Sequence, residues 1–394
     1  MEEEVFGLRS IMNVYIESDN IISPLGFTTE QNFSALLECR SGIKFHKDKK
    51  YSQNDFYGAI IDDISLDDHF SEMADPIVYT RFEKLCISSI TGALKQSSID
   101  VSSDRTVIIL STTKGNIDYL SESSEDMNPK VYLWNTAKFL KEYFKSRNDV
   151  LVVSTACISG ISALLMGQRL IQSGIYDNAI VCGCDIFSSF VMSGFQSFQA
   201  ISYSPCKPFD ADRSGITLGE GCGTLIITNN QPVNRKKNIK ISGGAISNDA
   251  NHISGPSRTG DGLTKAIDKA LGEAVVSPNV IDFISAHGTA TPYNDEMEAI
   301  AFATSGLLKS SVNSLKGYFG HTLGAAGTIE SIVTLESMRQ NMVIKSIGYE
   351  TSGVSQELNI AKSNIQTKLT HCLKTASGFG GGNAAIVFSK VENE

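Results

Sequence analysis

The chain has 394 residues, 41% of them hydrophobic and 20% charged, with a net charge of −9. It is long enough for two domains or one large duplicated fold, and its acidity, with no long basic run, excludes nucleic acid as an expected partner. No apolar stretch nears the roughly 18 residues of a membrane span, and the acidic Met1-Glu2-Glu3-Glu4-Val5 lacks the apolar core of a signal peptide. Eight cysteines without a Cys-x-x-Cys pair read as thiols of a reducing cytoplasm, not as a disulfide framework or a metal site.

In chain order, residues 14–16 read as a short strand, followed by a turn at Ser23-Pro24-Leu25-Gly26. A helix comes next, capped by Thr28 or Thr29 and carrying Phe33, Leu36 and Leu37 on its face. Residues 44–72 mix charges without periodicity and are expected to be a surface excursion, and a helical pattern returns over 80–96 with Phe82, Leu85, Ile87 and Leu94. The continuous apolar run 107–110 predicts a buried strand. Residues 121–129 are expected to form a loop, and 131–144 an amphipathic helix. Val152-Val153 is then a strand that breaks at Ser154-Thr155-Ala156-Cys157. A helix with Ile158, Ile161, Leu164, Leu165, Leu170 and Ile171 on its apolar face follows, closed by Gly174. Residues 179–181 form another buried strand ending in Cys182-Gly183-Cys184-Asp185, and a loop-rich stretch at 204–215 leads into an apolar run at 219–227.

The polar segment 229–238 is the expected boundary between halves 1–232 and 233–394, because past it the pattern repeats. After a strand at 239–246 and a helix at 262–274, the strand at 280–285 ends in His287, as 107–110 ends in a polar loop. The strand at 312–314 breaks into a glycine-rich turn around His321 and an apolar helix, as the Cys157 segment does, and 378–383 runs into 384–388 as 219 runs into 227. Three paired landmarks in one order imply two related halves. Strands alternating with helices imply an α/β fold with mainly parallel sheets, and ligands gather where such strands end.

Cys157 thus stands at a helix start, where unpaired N–H groups and the helix dipole favour a thiolate. An inert, buried thiol fits the same window. His287 and His321 sit in small-residue junctions of the other half, whereas His46, His69 and His371 lie in polar or irregular surroundings. Cysteine and histidine on separate segments form a nucleophilic-catalysis pattern whose members meet only in space.

Five motifs, Val153-Ser154-Thr155-Ala156-Cys157, His287-Gly288-Thr289-Ala290-Thr291-Pro292, Asn313-Ser314-Leu315-Lys316, Gly320-His321-Thr322-Leu323-Gly324-Ala325-Ala326-Gly327 and Gly378-Phe379-Gly380-Gly381, occur in this order. Together with Pro208-Phe209-Asp210, Arg213 and Gly219-Glu220-Gly221, they resemble the β-ketoacyl-acyl-carrier-protein synthases of the elongating Cys-His-His class, over essentially the whole chain. The resemblance implies a thiolase-like fold, two similar halves in a five-layer α/β/α/β/α sandwich, usually a homodimer. It implies an acyltransferase that performs a decarboxylative Claisen condensation of malonyl-acyl-carrier protein with an acyl group held on Cys157. The N–H groups of Cys157 and Phe379 would form an oxyanion hole, and His287 and His321 would hold the malonyl thioester carbonyl. Lys316 and Glu330 would support the histidines, and Thr289 and Thr291 would line the channel. The loop of Gly378, Phe379, Gly380 and Gly381 would gate the site. No resident cofactor is implied, because substrates arrive on the phosphopantetheine arm of acyl carrier protein, for which Lys44, Lys47, Lys207 and Arg213 are candidate contacts. A subunit that works only in a heterodimer with a second ketosynthase-like chain is the alternative. Ser377 and Gly382 depart from the family loop, which carries an aromatic and a threonine there. The departure implies a roomier or more polar acyl site and a specialised polyene or polyketide-type pathway in place of ordinary fatty-acid synthesis.

Overall fold

The apolar runs become the centre of one hydrogen-bonded sheet, seen in a computed structural model that describes residues 12–120, 127–231, 238–251 and 255–391. The acidic N-terminus and most of the predicted loop at 121–129 and boundary at 229–238 lie outside the described residues. In chain order the strands are β1 (Val14–Ile22), β2 (Thr106–Ser111), β3 (Leu151–Val153), β4 (Asn178–Asp185), β5 (Gly221–Thr228) and β6 (Ile239–Asn248). Then come β7 (Phe283–Ser285), β8 (Ser311–Asn313), β9 (Asn359–Ile360), β10 (His371–Gly378) and β11 (Gly382–Lys390). Across the sheet they run β9-β8-β7-β10-β11-β6-β1-β5-β4-β2-β3. Outward from the centre, β1-β5-β4-β2-β3 and β6-β11-β10-β7-β8 are the same order taken twice. The two sets meet where Val14 pairs with Ile241 and Tyr15 with Lys240.

The sheet is mixed, which corrects the expectation of mainly parallel pairing. In each set the strand before the first helix crossover pairs parallel with two neighbours (β2 with β3 and β4, β7 with β8 and β10). The two strands nearest the centre add antiparallel. β10 and β11 must do so, since only residues 379–381 join them and so short a link cannot carry a parallel crossover.

Five layers result. The helix Arg81–Leu94 covers β1, β4 and β5 from outside, and the helix Asp261–Ala274 covers β6 and β11. Between the two halves lie the helices Ser159–Gln172 and Ala326–Gln340, each packed on strands of both sets. A strand covered on both faces must be apolar at every position, so β2 reads as a continuous run. Val107 and Ile109 face the middle core, Ile108 and Leu110 the outer one. Each such side chain contributes on the order of 1.5–3 kcal/mol when buried. The middle helices cross where Gly160 meets Gly327. A Cβ on Gly160 would stand 2.6 Å from the Thr328 nitrogen, and one on Gly327 would stand 2.6 Å from the Ile161 nitrogen.

Residues 44–72 are not a plain surface excursion. They hold strands Lys44–His46 and Phe56–Ala59 and the helix Asp63–Ser71, with Phe56, Ile61, Leu66 and Phe70 buried. Their apolar residues are spaced singly because the small sheet they build, completed by Leu218–Gly219, buries one side chain at a time. Two helices went unread, Ser189–Ser197 and Pro292–Thr304. His46 and His69 have structural roles, stacked on Phe56 and Phe27 at 5.3 and 4.4 Å between ring centroids. β4 continues through Cys182 and Cys184, which pack with Cys86 and Cys222 in the outer core. The sulfurs of Cys86, Cys184 and Cys222 lie within 4.8 Å of one another. Burial pushes the Cys86 and Cys184 thiols up, as packed neutral thiols require. Among the described residues no helix is long and apolar enough to cross a membrane.

Candidate active site

The chain leaves β3 and turns through Ala156, whose φ of 51° is left-handed and strained for a residue with a side chain. Ser159 holds the turn, accepting from the Thr155 N–H at 2.8 Å and donating to the Ala156 carbonyl at 2.5 Å. The turn aims Cys157 into a cavity just before the helix Ser159–Gln172 begins. In the other half, Gly288 takes φ 45° past the end of β7, and the Glu298 carboxylate accepts the His287 and Gly288 N–H groups at 2.8 and 2.6 Å. Past β8 and the short helix Lys316–Phe319, Gly320 at φ 66° sends the chain into His321 and the helix Ala326–Gln340.

These segments converge. His321 Nε2 lies 3.1 Å from Cys157 Sγ, and the His287 ring stands at 82° to the His321 ring with 5.1 Å between centroids. The Leu323 N–H donates to His321 Nδ1 at 3.3 Å, and Lys316 Nζ lies 3.2 Å from His287 Nδ1. With both Nδ1 atoms accepting, each neutral ring carries its proton on Nε2. Burial first, then the charges of Lys316 and Lys374, holds both imidazoles well below the usual range. Behind them Lys316 Nζ donates to the His287 carbonyl at 2.7 Å and to Glu330 Oε1 at 2.8 Å. Glu330 Oε2 pairs with Lys374 at 2.7 Å. Cys157, His287 and His321 could together reach one cation, but two lysines behind them direct positive charge into the same space, which suits an anion.

Burial also decides the state of the nucleophile. It pushes the Cys157 thiol up to about 11, and Lys316, Lys114 and the Phe379 N–H only partly offset it. The expectation that the helix start would favour a thiolate is therefore corrected: the thiol is buried, and desolvation outweighs the nearby donors. Iodoacetamide inactivation is expected to quicken about tenfold per pH unit from pH 6 to 9, following the thiolate fraction of a group titrating well above that range. A plateau near neutrality, read from pseudo-first-order rates, would overturn this.

The cavity holds about 520 Å³. Thr289 and Thr291 line it, with their hydroxyls 2.9 Å apart. So do Ser377, Gly378 and Phe379. Gly378 packs tightly on the nucleophile's turn, since a Cβ would stand 3.0 Å from the Cys157 nitrogen. Gly380 and Gly381, at φ 83° and 77°, make the turn between β10 and β11. Ser377 turns its hydroxyl to Asn383 Oδ1 at 2.7 Å, and Asn383 donates on to Asp249 at 2.9 Å, so the departure from the family loop joins a polar chain. Gly382 faces Ile158, whose Cδ1 would lie 2.9 Å from an added Cβ. Of the candidate carrier contacts, Lys44 and Lys47 are exposed and Lys207 is half-buried. Arg213 is half-buried, donating to the Asp210 carbonyl at 2.9 Å, with Asp295 at 3.9 Å, so it braces the loop.

Four contributors escaped the sequence reading. Phe195 and Phe198 flank Phe379 at 5.5 and 5.4 Å between ring centroids. They come with the unread helix Ser189–Ser197 and the residue just after it. Glu298 sits one turn from Asn294 and Asp295 on the unread helix Pro292–Thr304, a buried polar face that i, i+3, i+4 spacing could have revealed. Lys374 is 0% exposed inside an apolar strand, and a cation there needs a buried partner.

Layers and strand order together define a thiolase-like fold, with Cys157, His287 and His321 gathered at its cavity. Residues 12–232 match the beta-ketoacyl synthase N-terminal domain and residues 239–350 the C-terminal domain. The chain belongs to the β-ketoacyl synthase family. It is 32% identical over 251 residues to 3-oxoacyl-[acyl-carrier-protein] synthase 2 of Staphylococcus aureus, covering 60% of this chain and 61% of that protein's length. It is 26% identical over 411 residues to the protein of the same name from Vibrio cholerae, covering 96% and 99%. Among solved structures it resembles a chain of the complex of the ketosynthase ApeO with its chain length factor ApeC from Xenorhabdus doucetiae. The TM-score is 0.84 and the identity 26%, over 96% of this chain and 98% of that one.

Proposed function

We propose that this chain is a β-ketoacyl synthase that condenses an acyl group on Cys157 with malonyl-acyl-carrier protein. The observation that carries the reading is a buried thiol 3.1 Å from one imidazole, beside a second imidazole, with both rings offering Nε2–H. In the first step the Cys157 sulfur attacks the thioester carbonyl carbon of the acyl-carrier protein. The N–H groups of Cys157 and Phe379 hold the oxyanion, and the pantetheine sulfur leaves with the thiol proton. Malonyl-carrier protein then loses carbon dioxide, and the electrons of the broken C–C bond pass to the thioester as an enolate held by His287 and His321. Its α-carbon attacks the acyl carbonyl, the bond to Cys157 breaks, and the sulfur takes up a proton, as a thiol of about 11 does at neutral pH. No resident cofactor is needed, because the departing carboxylate supplies the electron pair.

The two reacting sides come from halves 1–232 and 233–394. The proposed partners are acyl carrier protein in the cytoplasm and a second ketosynthase-like chain, identical or not. Among the described residues β3 pairs only with β2, so its other edge is open. Beside it lies a groove of about 750 Å³ lined by Leu133, Trp134, Val150 and Val152, with Trp134 62% exposed. The Ser377 hydroxyl and the rings of Phe195, Phe198 and Phe379 favour an unsaturated or polyene acyl chain over a saturated one. Loading with saturated and polyunsaturated acyl-carrier proteins tests that preference.

Incubation with acyl- and malonyl-carrier protein is expected to yield β-ketoacyl product, and Cys157→Ala is expected to abolish it. Turnover without Cys157 would sink the mechanism. Silence of the intact chain, restored by a second subunit, would establish the heterodimer.

A further inference from the structure

Asp185 ends β4 in the first half, is 2% exposed, and has no place in the condensation steps above. Its Oδ1 accepts the Thr112 hydroxyl at 2.8 Å. Its Oδ2 accepts the Thr113 N–H at 3.0 Å, the Thr113 hydroxyl at 2.9 Å and the Gly324 N–H at 2.7 Å. The last of these crosses between the halves, since Gly324 lies in the turn between His321 and the helix Ala326–Gln340. The next peptide unit is held as well, where Ser111 Oγ donates to the Gly324 carbonyl at 3.2 Å, so Gly324 is pinned on both sides of its Cα. Only glycine fits the contact, because a Cβ there would stand 2.7 Å from Asp185 Oδ2 and 2.9 Å from Thr112 Cα.

Leu323, next to this clamped peptide, has φ 52°, a left-handed conformation that a leucine keeps only when its surroundings impose it. In that conformation its N–H points back at His321 Nδ1, 3.3 Å away. Lys114 Nζ donates to the Thr113 hydroxyl at 3.0 Å, which sets a positive charge one hydroxyl away from the Asp185 carboxylate. Burial pushes the Asp185 carboxyl up, while Lys114 and the Thr113 N–H pull it back.

We infer that Asp185 is a positioning residue for His321: by pinning the Gly324 peptide it holds Leu323 in the turn whose N–H selects the Nε2–H tautomer facing Cys157. The importance of that tautomer rests on the proposed condensation, but the tautomer itself can be read without turnover.

The test uses the full chain labelled with ¹⁵N-histidine, with His321 signals assigned by their loss in His321→Gln. In the unaltered protein, His321 and His287 are both expected to show a protonated Nε2 and a bare Nδ1. In Asp185→Asn, which keeps the volume but cannot satisfy all the donors, His321 is expected to shift toward Nδ1–H or a mixture, with His287 unchanged. Condensation is expected to fall more than tenfold. His321 unmoved in a folded Asp185→Asn overturns the inference, and so does an equal shift of both rings, which would mark general loosening. If Asp185→Asn does not fold, Ser111→Ala cuts the other end of the clamp and must move His321 in the same direction; an unmoved ring there overturns the inference too. Loss of condensing activity in the unaltered chain, with the tautomer result intact, would count against the proposed function and not against the clamp.

Discussion

Glu330→Ala is expected to destabilise the fold by roughly 3–5 kcal/mol, the range for removing one partner of a buried ion pair. Glu330 stands between two buried cations, Lys316 at 1% and Lys374 at 0% exposure. With the carboxylate gone, both ammonium groups stay in the core without a paired carboxylate, Glu298 acting on them only from a distance. Three carbonyls still accept from Lys374, those of Ser285, Ala286 and Thr375, and the His287 carbonyl from Lys316, which keeps the loss inside that range. Glu330→Gln keeps the shape and one acceptor and is expected to lose less. The measurement is the denaturant midpoint at unchanged slope. A loss below about 1 kcal/mol for the alanine variant would show that the two lysines are neutral or re-solvated, contrary to a bridging role for Glu330.

The second large effect is on rate. His321→Ala and His287→Ala each remove one Nε2–H from the developing enolate, and each is expected to slow condensation by about 10²–10³-fold. The two should differ in the earlier step. His321 touches the nucleophile at 3.1 Å, whereas the His287 ring nitrogen lies within 4.8 Å of the sulfur and makes no hydrogen bond to it. Acyl loading of Cys157, followed by intact mass, should therefore survive better in His287→Ala. Because burial holds both imidazoles far below their usual range, they stay neutral above it and lose the neutral form only as pH falls through those lowered values. Neither ring should impose a limb on the rate between pH 6 and 8. Condensation within tenfold of the unaltered enzyme in either variant would exclude the paired-donor mechanism.

Much of this site was legible in the sequence because backbone geometry writes itself in residue type. Strand-to-helix breaks need small residues, so Cys157, His287 and His321 stood out among alanine, glycine and threonine, and β2 announced itself as an unbroken apolar run. Side-chain electrostatics left weaker marks. The orphan N–H groups at a helix start argued for a thiolate at Cys157, but the degree of burial that overrides them depends on residues far away in sequence. Lys374, a lone cation in an apolar strand, went unread, and its partner Glu330 lies on a distant helix, so nothing local joins the two. The polar stretch 44–72 misled for another reason. A small sheet on the flank of a large domain buries isolated side chains, and isolated apolar residues look like noise.

The crossing of Gly160 and Gly327 bears on how such an enzyme can change. There the unit that carries the nucleophile and the unit that carries His321 approach backbone to backbone, the atoms nearest each glycine being main-chain atoms of the other helix. Main-chain atoms are the same whatever the sequence, so the spacing between sulfur and imidazole is insulated from drift in the surrounding side chains. Ser377, Phe195, Phe198 and Phe379 border the same cavity but sit off that contact. The walls can therefore be refitted to a new acyl chain while the reacting atoms keep their separation.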